Sequence, residues 1–430
     1  MASPAPTPDA FILAAKHCEI GILEALTETC DVVTAISQLV HELQRERALS
    51  NIHLVSHGER LVAQRQQQIE RCRDHEVRLR HLLSRRYLKH PPGHTSMPLL
   101  NTIALVLQGM DGLPDLRNRI SGLAMGPEDA TFAFRRLIAG LLSVVFHAAD
   151  VASEPAITRT LVALFNFMQG KEYAGQERAW GSIGFATGQF NREWGARIDQ
   201  LQELQNRSFE DFHRFAGDAP RQQWHAHEAD TCNRDLDRLR ALIGRLCQGH
   251  SIDSEISEVW YEVATRRIDG LRTIETALTQ SLQQTCREQL AKARHDLRFQ
   301  QSRLSDLVHH QTPLTLLFDT RALPFTDHFQ RRDIASPEQA RSVYELMLGQ
   351  AEQIKQMEDA LEEARRALRE RKQIEKAKGL LMRQLGLNEE QSYARMRENA
   401  MRNNQRLAEL AAALIEAAET AGGKPRTKNE

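Results

Sequence analysis

The chain has 430 residues, enough for about three packing units, and its 56 Lys/Arg against 57 Asp/Glu leave a formal charge of −1. It is no polycation, so any nucleic-acid surface must be local. Only 23 Gly and 14 Pro stand among abundant Leu, Ala, Gln, Glu and Arg, with 6% aromatics; this argues for an all-α chain and against a large β protein or an α/β nucleotide-binding enzyme.

Residues 1–9 are Ala/Pro-rich and read as a flexible tail, without the basic and apolar regions of a secretion signal. The longest apolar run, Leu137 to Phe146, stops at His147, short of the roughly 20 residues that span a bilayer. Six cysteines (Cys18, Cys30, Cys72, Cys232, Cys247, Cys286) are scattered without a CxxC pair. They read as reduced thiols of a cytoplasmic protein with no membrane association, disulfide frame or zinc site.

From 10 to 309 helical segments follow one another. Breaks are expected at Pro91-Pro92-Gly93, Gly109 to Pro114, Gly126-Pro127, Glu154-Pro155 and Gly217 to Pro220. The stretches 30–84 and 253–308 are free enough of breakers for very long helices, which implies bundles. Within this region Ile36, Val40, Leu43, Arg47, Ser50 and Leu54 share one helical stripe, with Arg45 on the other side. Ile256, Trp260, Val263, Arg267, Gly270, Ile274 and Leu278 share another. Arg178 lies at the edge of a third stripe, with Leu161, Phe165, Met168 and Ala179. An arginine on a buried face must be paired or must bind something, because an unpaired buried charge is very costly. One reading is a structural ion pair for each. The other is a shared anion pocket, since planar, permanently charged guanidinium matches the in-plane oxygens of a planar oxyanion such as nitrate.

The segments Leu39 to Arg47 with Ser50, Lys171-Glu172 with Gly175 to Ala179, and Trp260 with Thr265 to Asp269 resemble the NIT family of nitrate- and nitrite-sensing domains. Ala48 stands where the family usually has Gly. The resemblance covers about 30 to 300 and implies a sensor of two four-helix bundles. It also implies Arg47, Arg178 and Arg267 as nitrate ligands, with nitrate or nitrite as ligand and no cofactor.

Pro313, Pro324 and Pro337 space out a connector over 310–340. Ser336 to Gln339 reads as a helix start, Ser as N-cap, Pro at N1 and Gln at N3. A linking helix over 341–370 follows, with Ile354, Met357, Leu361, Ala364 and Leu368 in a short coiled-coil-like heptad seam. That seam suits either a homodimer contact or packing on the chain's own bundle.

A third unit over 365–420 predicts three short helices, with 421–430 a flexible tail. Ile374, Ala377, Leu381 and Leu385 line one face of the first helix, Lys372, Lys376, Gly379 and Arg383 the opposite face, and Arg371, Lys378 and Met382 the flank. Gly386 ends it in a left-handed cap, and Asn388 to Gln391 opens the next. There Tyr393, Met396 and Ala400 face inward with Arg397 among them, while Arg395, Asn399, Arg402 and Arg406 face out. Leu407, Leu410, Ala411 and Leu414 bury the third helix. Between 365 and 430 there are 15 Lys/Arg against 9 Asp/Glu, so the positive charge is local. Such a stripe is either a solvated face or a nucleic-acid surface.

The run Arg371, Ile374, Ala377-Lys378-Gly379, Leu381-Met382, Gly386, Tyr393, Arg397, Ala400-Met401, Arg406-Leu407 and Ala411 resembles the ANTAR family of RNA-binding antiterminator domains over about 55 residues. ANTAR membership implies binding of paired leader-mRNA hairpins, usually as a homodimer, which prevents a terminator hairpin. With Lys and Arg holding the phosphates, Arg371 and Lys378 of the matching run and the neighbouring Lys372, Lys376, Arg383 and Arg402 are expected as RNA contacts. NIT followed by ANTAR implies a nitrate- or nitrite-responsive transcription antiterminator serving nitrate-assimilation genes. Its rivals are a structural coiled-coil adaptor without RNA binding, and an antiterminator for a different small anion.

No metal site is expected and no enzyme either. Glu210 to His213 is a single Glu-x-x-His spacing where a di-iron bundle needs repeats. The pairs His53/His57 and His225/His227 read as surface or structural. Phosphate-loop, GxGxxG and GxSxG motifs are absent from the sequence.

Overall fold

The computed structural model describes residues 8–89, 97–151, 154–188, 190–247, 256–307, 366, 369–387, 389–403 and 405–422. The connector and the heptad seam of the linking helix, Ser336 included, lie outside the described residues. The described residues are almost entirely helical and form two compact units, Met1–Ala360 and Leu361–Glu430.

The first unit holds α1 (Pro8–Val55), α2 (Val62–Leu83) with a π-helical end (Ser84–Lys89), α3 (Met97–Asp111), α4 (Leu113–Ser121), α5 (Pro127–Val151), α6 (Pro155–Thr187), α7 (Arg192–Phe215), α8 (Asp218–Glu228), α9 (Thr231–Leu246) and α10 (Ile256–Leu307). The first bundle packs α1 against α2 and α5, with α3 and α4 on α5; the second packs α6 against α7 and α10, with α8 and α9 on α10. Helix α1 also lies along α6 and α10, which joins the two bundles. Breaks fall where Gly and Pro stand: α4 follows Gly112, α5 begins at Pro127 and α6 at Pro155, with the Glu154 carboxylate accepting the Ile157 amide as N-cap. The 253–308 stretch is one 52-residue helix. The 30–84 stretch is two helices, not one. It breaks at Ser56 to Leu61, where His57, Gly58 and Leu61 take left-handed backbone. The N-terminal helix begins at Pro8, inside the segment expected to be tail.

Helix α6 is the axis of the unit. From Ile157 to Phe185 nearly every side chain is buried, as expected of a helix with partners on all sides. Its close approaches depend on absent side chains: a Cβ on Gly181 would overlap the indole of Trp260, and one on Gly175 would sit 2.7 Å from an Arg47 guanidinium nitrogen. Helix α5 includes a 21-residue stretch, Pro127–His147, long and apolar enough to cross a membrane by length and composition. More than half of its most apolar part is buried, and α5 packs on α1, α3 and α6.

The second unit holds α11 (369–385), α12 (Glu389–Arg402) and α13 (Leu407–Gly422). Its core is Ile374, Ala377, Met396, Ala400, Leu407 and Ala411, with Leu381, Tyr393, Leu410 and Leu414 packed on it. Gly386 takes φ 65°, the left-handed cap that ends α11.

Candidate functional site

The buried seam of α1, α6 and α10 is polar where a bundle core is normally oily. Burying so many charges requires that each find partners, and most do. Glu275 on α10 accepts from Ser37 Oγ at 2.9 Å, is bridged by buried Lys171 on α6, and lies 3.2 Å from Arg272. Arg272 also donates to Ser37 Oγ at 2.7 Å. Burial pushes the Glu275 carboxyl upward, but Lys171, Arg272 and the Ser37 hydroxyl outweigh it and hold the pKa below the usual carboxylate value.

The next layer centres on Glu172. Its carboxylate accepts from Arg47 at 2.6 and 3.2 Å, one guanidinium nitrogen to each oxygen. Gln44 donates to Oε2 at 2.8 Å and Gln176 to Oε1 at 2.9 Å. Gly175 provides the space in which Arg47 lies.

Arg178 is different. It is fully buried, yet among the described residues it makes no ion pair with a carboxylate. Its Nη1 donates to Thr265 Oγ1 and its Nη2 to the Gln44 carbonyl, both at 2.9 Å. The guanidinium lies 5.6 Å from the Tyr261 ring centre, and its Nε is buried without a partner. Burial lowers its pKa, Arg47 and Arg45 push the same way, and Tyr261 and the exposed Asp269 oppose them. Arg45 has a buried Nε without a hydrogen-bond partner as well. Around this seam, Arg45, Arg47, Lys171, Arg178 and Arg272 therefore face Glu172 and Glu275, an excess of positive charge. His41 reports that excess. Burial, then Lys171, Arg272, Arg45 and Arg178, keep its imidazole neutral far below its usual pKa, and its buried Nδ1 has no partner.

The three arginines expected as ligands do not share one set of partners. Gln44 links the Arg47 and Arg178 layers, its amide on Glu172 and its carbonyl on Arg178. Arg267 instead donates to Asn233 Oδ1 at 3.1 Å and Gln205 Oε1 at 2.8 Å, beside the Glu177–Arg240 ion pair of the second bundle. Arg178, placed at a stripe edge by periodicity, is wholly buried because α6 has no solvent face. Sequence reasoning missed Arg45, His41 and Lys171. The tripeptide Glu-Arg-Ala occurs on both helices that meet here, as Glu46-Arg47-Ala48 on α1 and Glu177-Arg178-Ala179 on α6.

A second charged cluster lies in the first bundle. Glu46 accepts from Arg117 at 2.8 Å through both oxygens, Arg117 reaches Glu76 at 2.7 Å, and Arg65 donates to Ser50, Ser121 and the Arg117 carbonyl. Its charges are internally matched. Among the described residues no group of three or more metal-ligating side chains forms.

In the second unit Lys372, Lys376, Arg383 and Arg402 are exposed and Arg371 is half-buried. Arg402 lies 3.2 Å from Glu398. Lys378 is not on the solvent face; it is 7% exposed and bridges Glu375 one turn before it. Arg397, expected toward the apolar side, is exposed, because Ser392, Met396 and Ala400 take the inner face. Leu385, expected inside, is 49% exposed at the end of α11, beyond the reach of the small core.

Comparison with known proteins follows the same division. The family profile for nitrate and nitrite sensing (NIT) matches residues 38–283, and that for the ANTAR domain matches 362–415. The nitrate regulatory protein of Klebsiella oxytoca is 31% identical over 417 residues, 96% of each chain. A solved structure of the NasR transcription antiterminator is similar with a TM-score of 0.58 at 28% identity, covering 95% of this chain and 98% of that one.

Proposed function

This chain belongs to the nitrate regulatory protein family, a nitrate- and nitrite-sensing domain followed by an ANTAR domain, and on that premise we propose that nitrate or nitrite bound in the α1–α6–α10 seam controls RNA binding by the second unit. It is a nitrate-responsive transcription antitermination regulator. The finer reading is that the RNA is a two-hairpin leader whose capture by a homodimer prevents a terminator hairpin, ahead of nitrate-assimilation genes.

The observation that carries the ligand half is Arg178. A fully buried guanidinium that pairs with no carboxylate among the described residues, beside an Arg45 Nε without a hydrogen-bond partner, leaves positive charge that an anion would neutralise. A planar oxyanion suits it, because neither nitrate nor nitrite needs a proton donor at neutral pH and fixed cations suffice. Arg178 and Arg47 are then the guanidinium pair about the ligand, with Arg45 adding charge. Arg267, bonded to Gln205 and Asn233, acts from the neighbouring layer. For the output, Lys372, Lys376, Arg383 and Arg402 present cations to phosphate, joined by Arg371; Lys378 acts through its hold on Glu375.

Ligand preference for one helical arrangement supplies the coupling, and a tenfold preference is about 1.4 kcal/mol. The test is titration calorimetry of the full chain with nitrate, nitrite, chloride and sulfate, then gel shifts on a two-hairpin leader RNA with and without the anion. Nitrate binding that is lost in Arg178→Met, with nitrate-dependent RNA affinity, is the expected result. Equal response to chloride and nitrate, or RNA binding indifferent to both, would overturn the proposal.

A further inference from the structure

Outside the charged seam, one buried pair of reactive groups has no part in sensing or RNA binding. Cys30 on α1 and Cys286 on α10 stand 256 positions apart in sequence, with their sulfurs 3.2 Å apart. Both are free thiols and both are buried. The helices that carry them run antiparallel, since residue numbers fall on one as they rise on the other. Glu24 pairs with Arg294 at 2.7 Å, Cys30 meets Cys286, and Ser37 meets Glu275. The cysteines therefore face each other at a defined level of a seam held above and below by polar contacts. Forming a bond of about 2.05 Å needs the sulfurs to approach by only about 1 Å. The remaining cysteines are free thiols with other contacts: Cys18 is exposed, Cys72 lies against Glu46, Cys232 against Asp230, and Cys247 against Gly195.

We propose that Cys30 and Cys286 are a redox modification site, closed by a peroxide into a disulfide that staples α1 to α10. Hydrogen peroxide is the oxidant. The Cys286 sulfur attacks one peroxide oxygen, the O–O bond breaks, and the departing oxygen leaves as water, giving Cys286 sulfenic acid. The Cys30 sulfur attacks that sulfur, the S–O bond breaks, and the second water leaves as the S–S bond forms. Two thiols and one peroxide become one disulfide and two waters. Either sulfur can donate its S–H to the other. The shared hydrogen bond lowers the Cys286 pKa despite burial and raises that of Cys30, which favours Cys286 as the attacking sulfur. Gln283, one turn before Cys286, donates its amide to the exposed Asp31 at 3.3 Å and to Thr34 at 3.4 Å. Entry of the peroxide requires α1 and α10 to part at this level. The staple fixes the register of α1 against α10, the helices that also carry Ser37, Glu275 and Arg272.

The test treats the full chain with hydrogen peroxide, quenches with catalase, denatures it and counts free thiols by alkylation and mass. The expected result is joint loss of the Cys30 and Cys286 thiols, a mass lower by two hydrogens, and one cross-linked peptide pair in a non-reducing digest that a dithiol reductant releases. The treated protein melts at a higher temperature than the reduced one, and Cys286→Ser abolishes both the cross-link and the shift. If Cys30 and Cys286 stay alkylatable while Cys18 is oxidised, or if the cross-link joins any other pair, the proposal fails. Because thiols are counted without nitrate or RNA, the result is independent of the functional reading above.

Discussion

Replacing Glu172 with Gln tests how the charged seam is held together. The carboxylate receives four donors: two from Arg47 and one each from Gln44 and Gln176. A Gln side chain keeps one oxygen and turns an NH₂ toward the other two donors. It also leaves Arg47, with no solvent exposure, without its counter-charge. Removing one partner of a buried ion pair costs about 3–5 kcal/mol. At roughly 2–4 °C per kcal/mol for a unit of this size, the melting temperature should fall by roughly 6–20 °C. The bare guanidinium should also become a better anion site, so nitrate should restore part of the loss, about 2.7 kcal/mol at one hundred times its Kd. The assay is thermal unfolding of parent and variant in chloride-free buffer and across a nitrate series. A variant that melts within about 1 °C of the parent would refute the buried-pair reasoning. A drop of the expected size that nitrate does not reduce would refute the anion site.

Arg178→Met should abolish nitrate heat in calorimetry. Because no carboxylate pairs with Arg178 among the described residues, it should cost only about 1–3 kcal/mol, the price of two unmet acceptors. His41 stays neutral in the folded chain, whereas the unfolded chain takes up a proton near pH 6.5. The stability it contributes is present above that pH and is lost below it at up to about 1.4 kcal/mol per pH unit. Urea unfolding from pH 7 to 5 should show a slope shallower by that amount in His41→Gln. Lys372→Ala with Lys376→Ala should lower the salt slope of RNA binding by roughly 0.7–0.9 per cation. Lys378→Ala should leave the slope near the parent value and lower the melting temperature of the second unit. Gly181→Ala should destabilise the first unit by about 1–3 kcal/mol through overlap with Trp260, read by urea unfolding.

Periodicity located what depends on one helix at a time. It found the long α10, the breaks before α5 and α6, the apolar stripe that carries Arg47, and the inner faces of Ile374, Met396 and Leu407. It failed where a helix has partners on more than one side. Arg45 was set aside as lying opposite the stripe, but α1 packs on α2 and α5 and on α6 and α10, so its other side is not solvent. Arg178 looked marginal because α6 is buried all round and has no edge. The partnership of Arg47 with Glu172, the neutral state of His41 and the meeting of Cys30 with Cys286 arise from chain crossings more than a hundred residues long, and no local pattern encodes them. In the small second unit the error ran the other way. Its core is too small to cover Leu385, and Arg397 faces solvent.

Helix α1 leaves the ribosome before α10 yet finds its last neighbour only after α10 exists. Cys30 waits 256 positions for Cys286, which at about 5–20 residues per second is roughly 13–50 s of synthesis. Glu46 and Arg47 meet Arg117 and Glu172 after 71 and 125 positions, but Cys30, Ser37 and the oily face beside them have no partner until α10 is made. Until then the nascent α1 keeps one apolar face uncovered, a natural client for a holding chaperone. Fragments that end before α10 should precipitate rather than fold as half a sensor.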